Sequence, residues 1–541
     1  MDDSLFEVIG ALAEEYDPVA SLIYGSRVAG YARENSLYDC MAICHYPGGA
    51  RYHFERLNGD QASILEIDEE LFILDVRKGA LGGFVAGRIL FPYFGLKGLE
   101  YLKQKEVELK KEVIRGDIEY IIQQYGEASR GIIIDPKYFA VSHISRLSKT
   151  FPPIRYSYLN TFRNDLRDRN IAKVMPGYEC GIEKLVNDEI LQRESKGISI
   201  NEDFIDNIIS RSITDKVVNV VEISKKALSS YLMHGRAGLV SPEVISRELA
   251  SKFKREFDLT TKSPKMEDPR VYLSLKTKTG LIPIDARGDI REIVLKIRPN
   301  SRILINPLGG VLNEVYVVHA NGEKLVAKKF TDWHGFKWFT LNLVALGTKS
   351  FLVSGKARLT NEFGINHLLQ RNFVNVPEIF HISISDRILV EKYVDGISVV
   401  DIIKKIVSER KPEQSLYESI SDVGRNIAKV HSLGIQLGDS KPENFIRSTE
   451  GKVFILDLEQ AKKGGDFAWD IAVFLYFSAH YSTPYGDKMR QLTDSFICGY
   501  REQGNSENLI QAAGINYLKV FSFWAFPRSN FIVSDTLKKV T

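Results

Sequence analysis

Residues 438–459 constrain this chain more than any other stretch. Gly438-Asp439-Ser440-Lys441-Pro442-Glu443-Asn444 leads into a hairpin signal, Ser448-Thr449-Glu450-Gly451. An apolar run, Val453-Phe454-Ile455-Leu456, follows and ends in Asp457-Leu458-Glu459. Ahead of it, residues 420–433 read as a helix with a Ser-Leu-Gly stop. The order predicts helix, polar loop, tight hairpin and short buried strand, with the strand end returning an acid to the loop. Phosphoryl transfer needs few protein groups: a cover over the phosphates, a cation, an acid at the nucleophile, and carboxylate or amide ligands for Mg2+. In that chemistry Asp439 orients a hydroxyl and accepts its proton, and Lys441 neutralises the moving group. Asn444 and Asp457 are the expected metal ligands.

The Asp-x-Lys-Pro-x-Asn loop with its second acid resembles the protein-kinase superfamily. Gly438 before the Asp is the pattern of its small atypical members: RIO kinases, the KEOPS-complex kinase and aminoglycoside phosphotransferases. Two departures stand out. Leu437 replaces the His of those families, and Asp457-Leu458-Glu459 replaces Asp-Phe-Gly. The resemblance implies a two-lobed, ATP-dependent and Mg2+-dependent domain over residues 301–541, with further site residues upstream. Ala327-Lys328-Lys329 ends an alternating strand; Lys329 is implied to hold the α- and β-phosphates, with Lys328 exposed on the opposite face. Gly310 matches the middle glycine of the phosphate-covering hairpin. Glu362, in a helical run over 358–369, is either the ion-pair partner of Lys329 or an ordinary surface glutamate. Residues 389–396, with Glu391 and Tyr393, read as the hinge whose backbone holds adenine, and Asp470 as the brace of the catalytic loop.

Only ten residues separate Glu459 from Asp470, and no Ala-Pro-Glu follows. That leaves no room for a long regulatory segment, so the enzyme is expected to be constitutively competent and its acceptor need not be a peptide. The aromatic insertion holding Trp333, Phe336, Trp338 and Phe339 reads as an extra helix or a substrate-docking flap.

Residues 1–97 read as mixed α/β, with a helix over 5–15 and strands over 20–24, 40–45, 62–67 and 71–76. Gly25-Ser26, directly after the first strand, resembles the turn of the nucleotidyltransferase superfamily. That family continues Ser-Asp-x-Asp; here the residues are Ser36-Leu37-Tyr38-Asp39, and the first acid is lost. Gly25, Ser26 and Asp39, with a second acid from Glu66 or Asp68, make a degenerate site. A dead domain kept for binding is the leading reading, beside an active divergent transferase and a false match.

Residues 98–265 read as mainly helical. They include a charged, solvated helix over 100–117, a helix start at Ser241-Pro242-Glu243 and a basic helix over 244–257. A short β-rich connector, 266–300, carries strands over 271–275, 280–284 and 292–297. Basic stretches at 163–169 and 252–255 are candidate RNA contacts or solvated helix faces.

At 541 residues the chain exceeds one hydrophobic core, so the expected class is α+β multidomain: a nucleotidyltransferase-like α/β part, a helical middle and a two-lobed kinase-like part. A composition of 44% hydrophobic and 26% charged residues with net charge +3 gives no strong pull toward nucleic acid or membrane. Cys40, Cys44, Cys180 and Cys498 are too few for a disulfide framework, and His45 beside the close pair lacks a second zinc-site pair. The acidic N-terminus and the absence of a long apolar run point to a cytoplasmic protein without membrane contact. The leading expectation is γ-phosphate transfer to Ser/Thr of protein, the chain itself included. The rivals are an RNA kinase acting on a ribose hydroxyl of tRNA, and a pseudokinase scaffold.

Overall fold

The computed structural model describes residues 9–11, 17–34, 36–45, 49–57, 60–83, 85–148, 152–163, 165–211, 268–309, 313–332, 352–481, 486–521 and 527–540. The chain forms two compact units. The first comprises Met1–Gln124 and Ile133–Leu273; the second comprises Tyr125–Ile132 and Ser274–Thr541. Most of the helix expected at 5–15, the basic stretch 244–257 with 252–255, Gly310 and the aromatic insertion at 333–339 lie outside the described residues.

The first unit is built on a mixed sheet of β1 (Ala20–Tyr24), β2 (Tyr38–Cys44), β3 (Ala50–Leu57), β4 (Asp60–Asp68) and β5 (Phe94–Lys97), in the order β3-β4-β2-β1-β5. One face packs Ile23, Cys40, Ala42 and Ile64 into a core. The run expected as a strand at 71–76 is instead a helix, α1 (Glu69–Lys78). Phe72, Asp75 and Val76 are buried at helical spacing. Glu69 and Glu70 open the helix, Arg77 and Lys78 close it, and Gly79 in the left-handed region ends it. A six-residue, largely apolar run cannot by its period alone distinguish the two forms.

The charged helix, α2 (Leu99–Tyr125), is longer than expected and is not a solvated rod. It buries Leu102, Leu109, Val113, Ile114, Ile118, Ile121 and Ile122, and with them Lys105, Lys110 and Asp117. Lys110 is satisfied by Glu106 and by the carbonyl of Val174, 2.7 Å away. Asp117 is met by Arg146. The charged pattern concealed a buried face.

A hairpin, Leu273–Thr277 with Gly280–Pro283, begins at the boundary of the units and precedes α3 (Ile290–Ile297) in the second. This helix replaces the strand expected over 292–297. A capping box decides it: the Asp289 side chain accepts from the Glu292 backbone, and the Glu292 side chain accepts from the Asp289 backbone. An antiparallel sheet follows, of β6 (Ile303–Pro307), β7 (Glu314–Ala320), β8 (Glu323–Lys329), β9 (Ile379–Ser383) and β10 (Ile388–Lys392). Its order is β6-β7-β8-β10-β9.

Between β8 and β9 runs α4 (Gly355–Arg371), and a tight turn over Gly126–Gly131 packs on it. A Cβ at Gly364 would run into the carbonyl of Glu127, and one at Gly131 into the Phe363 ring. The remaining core gathers α5 (Gln414–Ser432), α6 (Phe467–His480) and α7 (Asp487–Tyr500) around Ile420, Val423, Ile427, Phe474 and Phe496. A small sheet pairs Gly396–Ser398 with β11 (Phe445–Ser448), and β11 with β12 (Val453–Ile455).

Candidate active site

The loop after α5 is positioned by Asp470 on α6. Its carboxylate accepts from the backbone N–H of Leu437 at 2.6 Å and of Gly438 at 2.8 Å, and lies 3.1 Å from His431 Nε2. His431 Nδ1 in turn meets the Tyr500 hydroxyl at 2.8 Å. The indole of Trp469 donates to the Gly438 carbonyl at 2.9 Å. Gly438 has φ 79, and a Cβ there would sit 2.6 Å from the carbonyl oxygen of Gln460, so this position requires glycine twice over. Leu437 is buried in the core, and the imidazole that meets Asp470 is that of His431.

This bracing presents Asp439 partly to solvent, with Lys441 Nζ 3.0 Å from its carboxylate. Asn444 Nδ2 donates to the Asp439 carbonyl at 2.7 Å, which leaves the amide oxygen as its ligand-type atom. The Asn444 carbonyl accepts from Leu456 N–H at 2.9 Å and ties the loop to the strand end that carries Asp457. Burial raises the Asp457 carboxyl to about 6, with Glu362 and Asp439 adding to the rise and Lys328 opposing it. The surplus negative charge and the hard oxygen donors of Asn444 and Asp457 suit Mg2+. Among the described residues no cluster of three or more His, Cys, Asp and Glu side chains is arranged as a metal site.

The lysine expectation is corrected. Lys328, and not Lys329, points into the interior. Its side chain is 12% exposed against 46% for Lys329, which faces outward 3.6 Å from Glu314. Strand alternation sends the two in opposite directions, and Ala320–Glu323 to Glu314–Lys329 pairing of β7 with β8 fixes which is which. Lys328 Nζ lies 2.9 Å from Glu362, 3.0 Å from Glu391 and 2.7 Å from the Leu456 carbonyl. Burial works against its charge, but Glu362, Glu391 and Asp457 outweigh burial and hold the ammonium protonated. Glu362 is therefore an interior partner of Lys328; its other oxygen accepts from Leu458 N–H at 2.6 Å.

Glu391, expected to serve through its backbone, lies within β10, paired to Val326 and Ile379, and contributes its side chain to the interior. Tyr393 is half-buried beyond the strand, with Lys324 Nζ 4.9 Å from its ring centre.

Three residues escaped the sequence reading. Arg358 is fully buried and donates to Glu459 at 2.9 Å and to Asn313 at 2.7 Å. Glu459 also accepts from Asn313 at 2.7 Å, and burial with the nearby Asp457 raises its carboxyl to about 7. Asn361 donates to the carbonyls of Leu458, Glu459 and Ala461. The only signal available was an Arg, Asn and Glu at helical spacing in 358–362.

In the first unit, Tyr24 pairs with Asp39, and a Cβ at Gly25 would lie 2.6 Å from the Asp39 carboxylate, so Gly25 and Asp39 meet, with Ser26 next in the chain at the start of a short helix. Glu66 and Asp68 do not join them. They pair with Ala42 and Cys44 on parallel β2 and β4, whereas Asp39 pairs with Ser63, and alternation turns them to the other face. In the basic stretch 163–169, Arg163 pairs with Asp165, Arg167 donates to Tyr272, and Arg169 donates to the Ala29 carbonyl at 2.6 Å.

No family model matches the chain. Over 107 residues it is 31% identical to the KEOPS complex subunit Bud32 of Pyrococcus abyssi, covering 20% of this chain and 46% of that protein. Over 143 residues it is 29% identical to a probable bifunctional tRNA threonylcarbamoyladenosine biosynthesis protein of Methanococcus vannielii, covering 26% and 23%. Over 139 residues it is 28% identical to a probable serine/threonine-protein kinase BUD32 homolog of Archaeoglobus fulgidus, covering 26% and 64%. The chain spans between 23% and 64% of the length of these curated relatives. The similarities support an atypical kinase-like domain. No helix among the described residues is long and apolar enough to cross a membrane.

Proposed function

We propose that the second unit is an atypical kinase that transfers the γ-phosphate of ATP to a hydroxyl, with Ser/Thr of protein, the chain itself included, as the leading acceptor. The observation that carries this reading is the convergence of two sets of residues. Asp439, Lys441, Asn444 and Asp457 share one braced loop and strand end, and Lys328 with Glu362 reaches the same strand through the Leu456 carbonyl. Asp439 orients the acceptor hydroxyl and takes its proton late in the transfer. Lys441 sits where charge on the moving group is neutralised, and Lys328 takes the role expected of Lys329 on the α- and β-phosphates. Asn444 and Asp457 would hold Mg2+, which would supply positive charge to neutralise the phosphates. Tyr393 and the segment after β10 would receive adenine, and Gly310, expected in the covering hairpin, lies outside the described residues.

A second reading, transfer to a ribose hydroxyl of tRNA, is favoured by the tRNA-directed name of one relative and by the ten-residue span between Glu459 and Asp470. Under it, the Gly25-Ser26 turn with its single acid Asp39 is a dead nucleotidyltransferase-like domain kept to bind RNA. One experiment tests both readings: purified protein with γ-labelled ATP and Mg2+, offered total tRNA and a basic protein in parallel. Label in protein that is lost in Asp439→Ala supports the first reading, and label in tRNA lost in the same variant supports the second. No transfer at all, with ATP still bound, leaves a scaffold. Transfer persisting in Asp439→Ala would falsify the assignment of that residue.

A further inference from the structure

An ammonium group has three hydrogens to donate, and in this site three acceptors already stand within reach of Lys328. Glu362, Glu391 and the Leu456 carbonyl lie at 2.9, 3.0 and 2.7 Å. If Lys328 holds phosphates, one of these acceptors must let go. Glu362 is secured from its other side by the Leu458 N–H at 2.6 Å. The Leu456 carbonyl is main chain at the end of β12, and its residue is tied to Asn444. Glu391 differs from both. Its side chain is 3% exposed, it forms an ion pair with Lys328, and among the described residues its second oxygen is buried with no hydrogen-bond partner. A buried carboxylate with an orphaned oxygen is an expensive arrangement to maintain. The other charged groups acting on Glu391 and its neighbours, Glu362 and Asp457, are carboxylates as well, so phosphates would arrive in a pocket already rich in negative charge.

We propose that Glu391 is a competing carboxylate, seated on Lys328 in the empty site and displaced from it by the phosphates of the nucleotide, so that it sets how tightly the site holds them. The inference rests on the phosphotransfer reading above. It assigns Glu391 neither to the chemistry nor to the adenine ring: its oxygen and a phosphate oxygen want the same N–H. A side chain of equal shape without the charge should hand the lysine over more readily.

The test measures equilibrium binding of Mg-ATP, and of adenosine, to the full chain as wild type, Glu391→Gln and Glu391→Leu, with a melting curve for each. Mg-ATP should bind roughly ten-fold tighter to both variants, as expected for removing one like charge beside the phosphates. Adenosine, which carries no phosphate, should bind all three within about two-fold. Unchanged or weaker Mg-ATP binding in both variants, with melting like that of wild type, overturns the proposal. So does a parallel loss of adenosine affinity, which would make Glu391 a contact to the base. If none of the three proteins binds Mg-ATP, the phosphotransfer reading fails and this inference goes with it; tighter binding to the variants alone supports both.

Discussion

Two adjacent lysines separate what a sequence can say from what it cannot. Ala327-Lys328-Lys329 announces a strand that ends in cations, but which lysine faces inward depends on strand parity, and parity is set by pairing with β7 and β10. The consequence is measurable. Lys328→Met should lower phosphotransfer by about 10²–10³-fold, since it removes the cation aimed at developing charge. Lys329→Met breaks only an exposed contact to Glu314, and its activity should stay within about three-fold of wild type; a γ-labelled ATP assay reads both. His381, on β9, gives a second expectation at this scale. Burial, with Lys296 adding to it, lowers its imidazole to about 4. The folded-state value lies below that of an unfolded histidine, about 6.5. Stability from the neutral ring is therefore present above pH 6.5 and lost as pH falls through 4. Between pH 7 and pH 4.5 the wild type should lose about 2 kcal/mol that His381→Leu does not lose, after allowance for solvent screening. Urea titrations of the two proteins at the two pH values measure the difference.

At the scale of elements, the loop, hairpin and strand of 438–459 were legible because their geometry is local: each turn residue and each apolar position lies within a few residues of the group it places. What holds them was only half legible. Asp470 could be named as a brace, but its partner His431, one helix back, could not. Asp470→Asn replaces an acceptor of two backbone N–H groups and one imidazole by an amide that can accept with one oxygen only. The catalytic rate should fall by about 10–10²-fold with Mg-ATP affinity nearly unchanged, because the loss is one of positioning. Equal losses in rate and affinity would argue for a collapsed site instead. The helices α1 and α3 were misread for a related reason. Each is short and rich in β-branched or apolar residues, and each owes its form to termini: charges that complement the dipole in one, a reciprocal cap in the other. The link from Asn313 through Glu459 to Arg358 joins three elements far apart in sequence and has no periodic signature.

For the whole molecule, the division into two units was only partly readable, because the second unit includes Tyr125–Ile132, more than a hundred residues before the rest of it begins. Nothing in the composition of that short segment marks it as belonging elsewhere. Its contact with α4 yields a prediction with a change of sign. In the full chain, Gly364→Ala drives a methyl into the Glu127 carbonyl and should destabilise the second unit by about 1–3 kcal/mol. In a chain of Ser274–Thr541 alone the obstruction is gone, and the same change should stabilise by about 0.5–1 kcal/mol through helix propensity. Unfolding curves for the four proteins decide it; the same sign in both backgrounds would mean that the turn over Gly126–Gly131 contributes nothing to α4.

That arrangement also imposes an order on synthesis. Glu127 leaves the ribosome more than two hundred residues before Gly364. At elongation rates of about 5–20 residues per second, this is a wait of roughly 10–50 s. During that interval residues 125–132 have been made but the helix they cover has not. The second unit is thus begun early and closed late, and a message truncated anywhere before α4 yields a strap with nothing to hold.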